Sequence, residues 1–218
     1  MNGGDFSAAE RAALYRAIAL RRDVRAEFLP DPVGDDVLAR ILGAAHQAPS
    51  VGLSQPWHFI VVRDRATRSA VHAEFTRANA AAAAAYDAAD AERYRGLRLA
   101  GILEAPVNVC VTCDEAPARG NGLGRQTMPE TARYSTVCAI QNLWLAARVE
   151  GLGVGWVSIL EPATLRARLA IPAHLTIVAY LCVGHVAAFA PVADLERDRW
   201  ETRVPLGDVV DYERYGGA

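Results

Sequence analysis

Residues 131–150 constrain this chain more than any other segment. Tyr134, Val137, Cys138, Gln141, Trp144, Leu145 and Arg148 recur there at helical spacing, and most of the other faces are apolar too. A helix that is apolar nearly all round is usually a central, buried one. Gly151 and Gly153 stop it. The chain is therefore expected to wrap strands and further helices around one long internal helix.

The remaining pattern supplies those elements. Ser7 and Glu10 have capping-box spacing, which predicts a helix running to about Leu20. Val33, Val37, Leu38, Ile41, Leu42 and Ala45 predict a second helix ending near Gln47. Strands are expected at 57–62, 107–113, 154–159 and 177–183. Residues 67–86 are alanine-rich and helical, a run with little packing volume that suits a peripheral helix. Helix is expected again over 92–103, and Pro162 starts another. Residues 115–130 form a Gly/Pro-rich loop of functional length.

At 218 residues the chain can hold one full core, and neither a repeat nor a linker divides it, so residues 1–218 are expected to form a single domain. Its 52% hydrophobic and 22% charged residues fit an ordered protein. A net charge of -2 does not favour nucleic acid or an anionic membrane as partner, so any anion site must be a local cluster. The apolar stretch 175–193 is interrupted by Tyr180, Gly184, His185 and Pro191 and is rich in β-branched residues, which indicates a buried strand rather than a membrane span. No basic region and apolar core open the chain, so a cytoplasmic location is expected. Cys110 and Cys113 form a C-x-x-C pair within VNVCVTCD, where positions three apart point to opposite faces of a strand. With Cys138 and Cys182 they are expected to be buried free thiols, and no metal site is expected.

Three segments could carry chemistry. Arg21, Arg22 and Arg25 put three guanidinium groups in five residues, either as a solvated charged turn or as an anion site using the bidentate arginine fork. Asp23 among them either neutralises them or is a carboxylate held by them and aimed into a pocket. Residues 48–57, APSVGLSQPW, form a rigid loop that connects a helix to a strand and could recognise the polar edge of a flat heterocycle. Residues 151–160, GLGVGWVSIL, lack the G-x-G-x-x-G order and the strand-to-helix context of a dinucleotide site. Ser158 stands at the end of that strand without hydrolase surroundings.

In this order, RRDVR, APSVGLSQPWHFIVV, AIQNLWLAARVEGLGVGW and WETRVPLGDVV resemble the nitroreductase-like flavoprotein superfamily over nearly the whole chain. The resemblance implies an α+β fold with a mostly antiparallel central sheet flanked by helices. It implies a homodimer with FMN at the subunit interface, where residues from both chains meet. The polar tail after about residue 190 is a candidate for wrapping the partner. Arg21, Arg22, Arg25 and Arg203 would hold the FMN phosphate, with Asp23 and Val24 between them, and Pro49, Ser50 and Gln55 would lie along the flavin. Leu53 replaces the asparagine usual in that loop.

Within the superfamily the chain is similar to the 5,6-dimethylbenzimidazole synthase family. The similarity rests on Asp23 inside RRDVR, the extension RAEFLPDP, the phrase YSTVCAIQNLWLAARVEGLGVGWVSIL and the later AYLCVGH. It implies that reduced FMN is a substrate, fragmented with molecular oxygen to 5,6-dimethylbenzimidazole, the lower ligand of cobalamin, and erythrose 4-phosphate. It assigns catalysis to Asp23 and Ser158. It places Ile159 and Leu160 near the flavin, and Arg98 and Leu99, with Met128 at the edge, in a lid. A separate flavin reductase would supply the reduced FMN. The alternatives are an NAD(P)H-dependent nitroreductase or flavin reductase that retains FMN, a non-catalytic flavin carrier or sensor, and an interaction protein without flavin.

Overall fold

Four runs of apolar and β-branched residues build one antiparallel sheet. The computed structural model describes residues 4–216. Its strands are β1 (Trp57–Val62), β2 (Val107–Asp114), β3 (Leu152–Val157) and β4 (Leu175–His185), in spatial order β1-β2-β4-β3. Val109 of β2 lies opposite Val61 and Leu181, and Val154 of β3 lies opposite Val183. The central strand β2 is buried at every position but its last, as expected of a strand covered on both faces.

Helices cover both faces. On one side α2 (Asp35–His46) and α5 (Thr131–Val149) pack Leu38, Ile41, Ile140, Leu143 and Trp144 against Val107, Val109, Val111 and Leu181. On the other, α3 (Arg65–Ala84) and α6 (Pro162–Arg168) bring Val71, Phe75 and Leu165 against Cys110, Tyr180 and Cys182. Helix α1 (Ala8–Leu20) begins on the expected capping box of Ser7 and Glu10, α4 (Ala88–Gly96) is capped by the Asp87 carboxylate, and α7 (Asp194–Arg197) is a single turn. The α+β architecture matches the expectation, and among the described residues no helix is long and apolar enough to cross a membrane.

The structure differs from the sequence expectations at four places. Helix α4 ends at Gly96, so residues 97–103 are not helical. The buried Arg68 side chain donates to the carbonyls of Leu103 (3.1 Å) and Ala105 (2.6 Å), and Ile102 enters the core beside Phe28. Strand β3 begins two residues early and ends at Val157, leaving Ser158 and Ile159 beyond it. Helix α5 is not buried all round: Tyr134, Val137, Cys138 and Gln141 are exposed on this chain, while Ala139, Ile140 and Leu143 on the opposite face are buried. Exposed apolar stripes of this kind commonly mark association faces. Cys138 lies on that stripe and so is not a buried thiol. Cys110 and Cys113 do face opposite layers: Cys110 packs with Phe75, whereas the Cys113 thiol lies beside Thr136 of α5. Burial pushes the Cys110 thiol up to about 12, which leaves it inert as a nucleophile.

Candidate functional site

After α1 the chain runs extended along the free edge of β3. Asp23 forms a parallel bridge with Val154, and the Val24 N–H donates to the Val154 carbonyl at 2.9 Å. The glycines of β3 make this approach possible. A Cβ on Gly155 would stand 2.0 Å from the Val24 carbonyl oxygen, and one on Gly153 would stand 2.5 Å from Val186 Cγ1. Gly155 therefore serves backbone contact between two distant segments, and Gly153 makes room for the Val24 and Val186 side chains.

That contact fixes Asp23. Its Oδ1 accepts from the Trp156 N–H at 3.0 Å, and its Oδ2 accepts from Arg25 Nε (3.0 Å) and Nη2 (2.5 Å). A carboxylate oxygen can accept more than one hydrogen bond. Oδ1 thus keeps acceptor capacity, and the side chain keeps 29% exposure. Arg25 is the more enclosed partner at 17%.

The other arginines divide their work. Arg22 donates from Nε to the Ala190 carbonyl (3.0 Å), from Nη1 to those of Ala19 (2.9 Å) and Arg21 (2.7 Å), and from Nη2 to that of Pro191 (2.5 Å). Its fork is engaged by main chain and clasps the segment after β4 to the end of α1. Arg21 instead lies over the Trp144 ring, 5.0 Å from its centroid, with no side-chain hydrogen bond to the described residues. Desolvation holds its guanidinium below the ordinary pKa. Asp23 opposes this, and the nearby Arg203 and Arg22 push it further down. Arg203, itself exposed, comes only within 3.9 Å of a carboxylate, that of Glu196. Of the four expected phosphate ligands, Arg21 and Arg203 are left open to an anion, and Arg22 and Arg25 are bonded within the chain.

Two cavities open beside this segment. One of about 300 Å³ is lined by Arg22, Asp23, Val24, Glu27, Arg98 and Phe189, among others. The second, about 350 Å³, is lined by Arg25, Phe75, Asn79, Arg98, Leu99 and Glu104, among others. Arg98 borders both, and Leu99 borders the second. Ser158 is exposed just beyond β3 and its hydroxyl has no partner among the described residues, while Ile159 and Leu160 are half-buried against the second core cluster. Met128 is half-exposed and lines neither cavity.

The loop 49–57 lies elsewhere. The Ser50 hydroxyl accepts from the Gln55 N–H, and the Ser135 hydroxyl from the Val51 N–H, each at 3.0 Å. Gly52, Leu53 and Gln55 take left-handed conformations, and Leu53 points outward, 70% exposed. This loop feeds β1, at the opposite edge of the sheet from β3. Three strand spacings separate those edges by about 14 Å. One chain therefore unites Arg21, Asp23, Arg25, Arg98, Leu99 and Arg203 but not Pro49, Ser50 and Gln55 with them. Among the described residues no cluster of three metal-ligating side chains occurs.

Residues 18–185 match the nitroreductase family. Over 200 residues the chain is 49% identical to the 5,6-dimethylbenzimidazole synthase of Rhodospirillum rubrum, covering 92% of this chain and 94% of that protein. The chain belongs to the nitroreductase family, in its 5,6-dimethylbenzimidazole synthase branch. A synthase of the same name from Rhodobacter capsulatus is 42% identical, covering 92% and 97% of the two chains. In fold, the chain is similar to an iodotyrosine deiodinase crystallised with FMN and 3-iodo-L-tyrosine, with a TM-score of 0.75 at 21% identity over 93% of this chain and all of that one.

For a member of this branch, the contributions that sequence reasoning missed are main-chain and supporting ones. The Trp156 N–H that holds Asp23, the Trp144 ring beneath Arg21 and the Trp144 Nε1–H donated to the Arg22 carbonyl (3.1 Å) leave no motif of their own. The usable signal was the pair of glycines flanking Val154, which marks a strand under close backbone approach.

Gly155→Ala tests this construction. The new methyl must displace Val24, so overpacking costs about 1–3 kcal/mol in urea unfolding. Amide exchange at Trp156 should quicken because its Asp23 acceptor moves away. Unchanged exchange would show that the two segments do not depend on the glycine.

Proposed function

We propose that this member of the 5,6-dimethylbenzimidazole synthase branch takes reduced FMN as substrate, not as a retained cofactor, and fragments it with molecular oxygen. The observation that carries the proposal is the fixed Asp23 carboxylate, held by the Trp156 N–H and Arg25 on the same strand edge that leads to the unbonded Ser158 hydroxyl. The name of the relative at 49% identity supports the same chemistry.

The residues fit a flavin phosphate. Arg21 is a half-buried cation with no protein acceptor, close to a second cation, Arg203. A partly desolvated guanidinium beside a second cation is stabilised by a doubly charged anion more than by water. The bound reduced flavin supplies the electrons that activate oxygen, and this chain's residues bind, orient and shield it. Asp23, with acceptor capacity left on Oδ1, orients or deprotonates a ring or ribityl group. Ser158 donates to the ring edge or relays a proton. Arg98 and Leu99 cover the site, where excluded water protects a reactive oxygen adduct. Val24, Ile159 and Leu160 line it. A separate flavin reductase would supply the reduced FMN.

A second copy of the chain completes the site. Leu14, Tyr15 and Ile18 of α1 and Tyr134 and Val137 of α5 are exposed apolar residues. A two-fold pairing through them would bring Pro49, Ser50 and Gln55 of one copy to the arginine edge of the other. The tail, exposed from residue 201 to 216 with Leu206, Val209 and Tyr212 outward, would wrap that partner.

Mixing the protein with chemically reduced FMN in air should release 5,6-dimethylbenzimidazole. Asp23→Asn and Ser158→Ala should each lower its rate by about 10²-fold or more. Rapid NADPH oxidation by the protein alone, with FMN returned intact, would sink the proposal. Arg21→Ala should weaken FMN binding about tenfold or more, with little change in urea unfolding. Arg22→Ala should instead cost about 2 kcal/mol of stability, because four carbonyls lose their donor. The reverse pattern would show the assignments to be exchanged. Val137→Arg should yield monomers in analytical ultracentrifugation, and a persisting dimer would place the interface elsewhere.

A further inference from the structure

The loop 49–57 is anchored by bonds that the flavin site does not explain. Trp57 opens β1 and is buried, and its indole N–H donates to Nδ1 of His46 at 3.1 Å. His46 is the last residue of α2, and the two rings stand edge to face at 89°. An indole nitrogen can only donate, so Nδ1 must be the bare nitrogen of the imidazole. The neutral ring then carries its proton on Nε2. That Nε2 faces the terminal amide of Gln55, whose Nε2 stands at 3.4 Å.

Two N–H donors cannot bond to each other. Oxygen and nitrogen of an amide exchange places by a half-turn, so the bonding partner for His46 is the Gln55 oxygen. The amide NH2 group must then point away from the imidazole, out of the loop. The Gln55 main chain is fixed separately, by its left-handed φ of 46° and its N–H bond to Ser50. The outward NH2 is therefore a fixed donor on this exposed rim, where the adjacent Leu53 side chain offers no hydrogen bond.

We infer that His46 is a positioning residue that sets Gln55 with its amide NH2 presented to a carbonyl oxygen of the flavin ring. The inference rests on the proposal above that loop 49–57 lines the flavin, and it adds the polarity of the contact and the group that enforces it. Reversing the amide would bring its oxygen against a carbonyl oxygen and leave the His46 Nε2–H without an acceptor. Trp57 acts as the outer reference, because its donor chooses the tautomer.

The test uses the intact protein with oxidised FMN as probe. The Trp57 indole resonance, assigned through Trp57→Phe, is followed by ¹⁵N–¹H NMR, and the FMN dissociation constant by flavin fluorescence. His46→Ala should shift the indole resonance and weaken FMN about five- to tenfold, the worth of one or two hydrogen bonds. His46→Asn keeps an acceptor at the Nδ1 position but cannot reach Gln55. It should restore the indole resonance without restoring affinity, which a merely structural role would not do. Gln55→Ala should weaken FMN equally, and His46→Ala added to it should weaken FMN no further. An unmoved indole resonance in His46→Ala, or additive losses in the double variant, overturns the inference alone. Gln55→Ala without effect on FMN affinity overturns the placement of the loop on the flavin, and the inference with it.

Discussion

The contact between the Val24 carbonyl and Gly155 sets the spacing on which the site depends. At that point the chain after α1 meets β3 with no side chain between, closer than any Cβ would permit. Only this closeness lets the Val24 N–H reach the Val154 carbonyl and the Asp23 carboxylate reach the Trp156 N–H. Helix α5 fixes the same segment from the other side through the Trp144 indole, which bonds the Arg22 carbonyl. Asp23 is thus aimed by two rigid elements rather than by a loop, the arrangement that holds a reacting group to a small positional error.

The same closeness sorts the arginines by what each meets. Carbonyls of Ala19, Arg21, Ala190 and Pro191 crowd around Arg22, so its donors are satisfied and its charge stitches the chain. Arg25 is paired with Asp23. Arg21 gains only the face of Trp144, and a cation–π contact is worth about 0.5–2 kcal/mol. Desolvation depresses its pKa, with Arg203 and Arg22 adding to the effect and Asp23 opposing it. Charge alone does not decide which arginine awaits an anion. The supply of nearby carbonyl and carboxylate acceptors does.

Local chemistry made much of the fold legible in the sequence. The Ser7 capping box, Pro162 at a helix start and the β-branched runs of β1, β2 and β4 appear where their residues require. What was not legible depends on distant partners. Gly153 looks like part of a helix stop and is interior to a strand, because the residues packed against it, Val24 and Val186, lie far away in sequence. Residues 97–103 continue a helical pattern, yet the chain leaves the helix at Gly96 and Arg68 of α3 binds the Leu103 and Ala105 carbonyls at and just beyond the end of that segment. In the site, the arginine cluster and Asp23 were visible as residues. Their division into clasp, clamp and open cation was not, since it depends on distant partners: the Ala190 and Pro191 carbonyls for Arg22 and the Trp144 ring beneath Arg21.

Helix α5 is the instructive case, because its periodicity is the same whether its apolar faces are covered by one chain or two. Ile140 and Leu143 are buried by the sheet, whereas Tyr134 and Val137 point away from it. An outer apolar stripe is stable in water only at a cost that association removes. The sheet order adds a separate reason for pairing. Loop 49–57 and Asp23 sit at opposite edges, with β2 and β4 between them, and no rearrangement short of unfolding brings them together in one chain. A two-fold axis would meet both demands at once: it would cover the stripe and set each loop against the other copy's arginine edge, giving two equivalent sites. Helix α5, which a single chain does not fully bury, would then be covered on its outer face by the second copy.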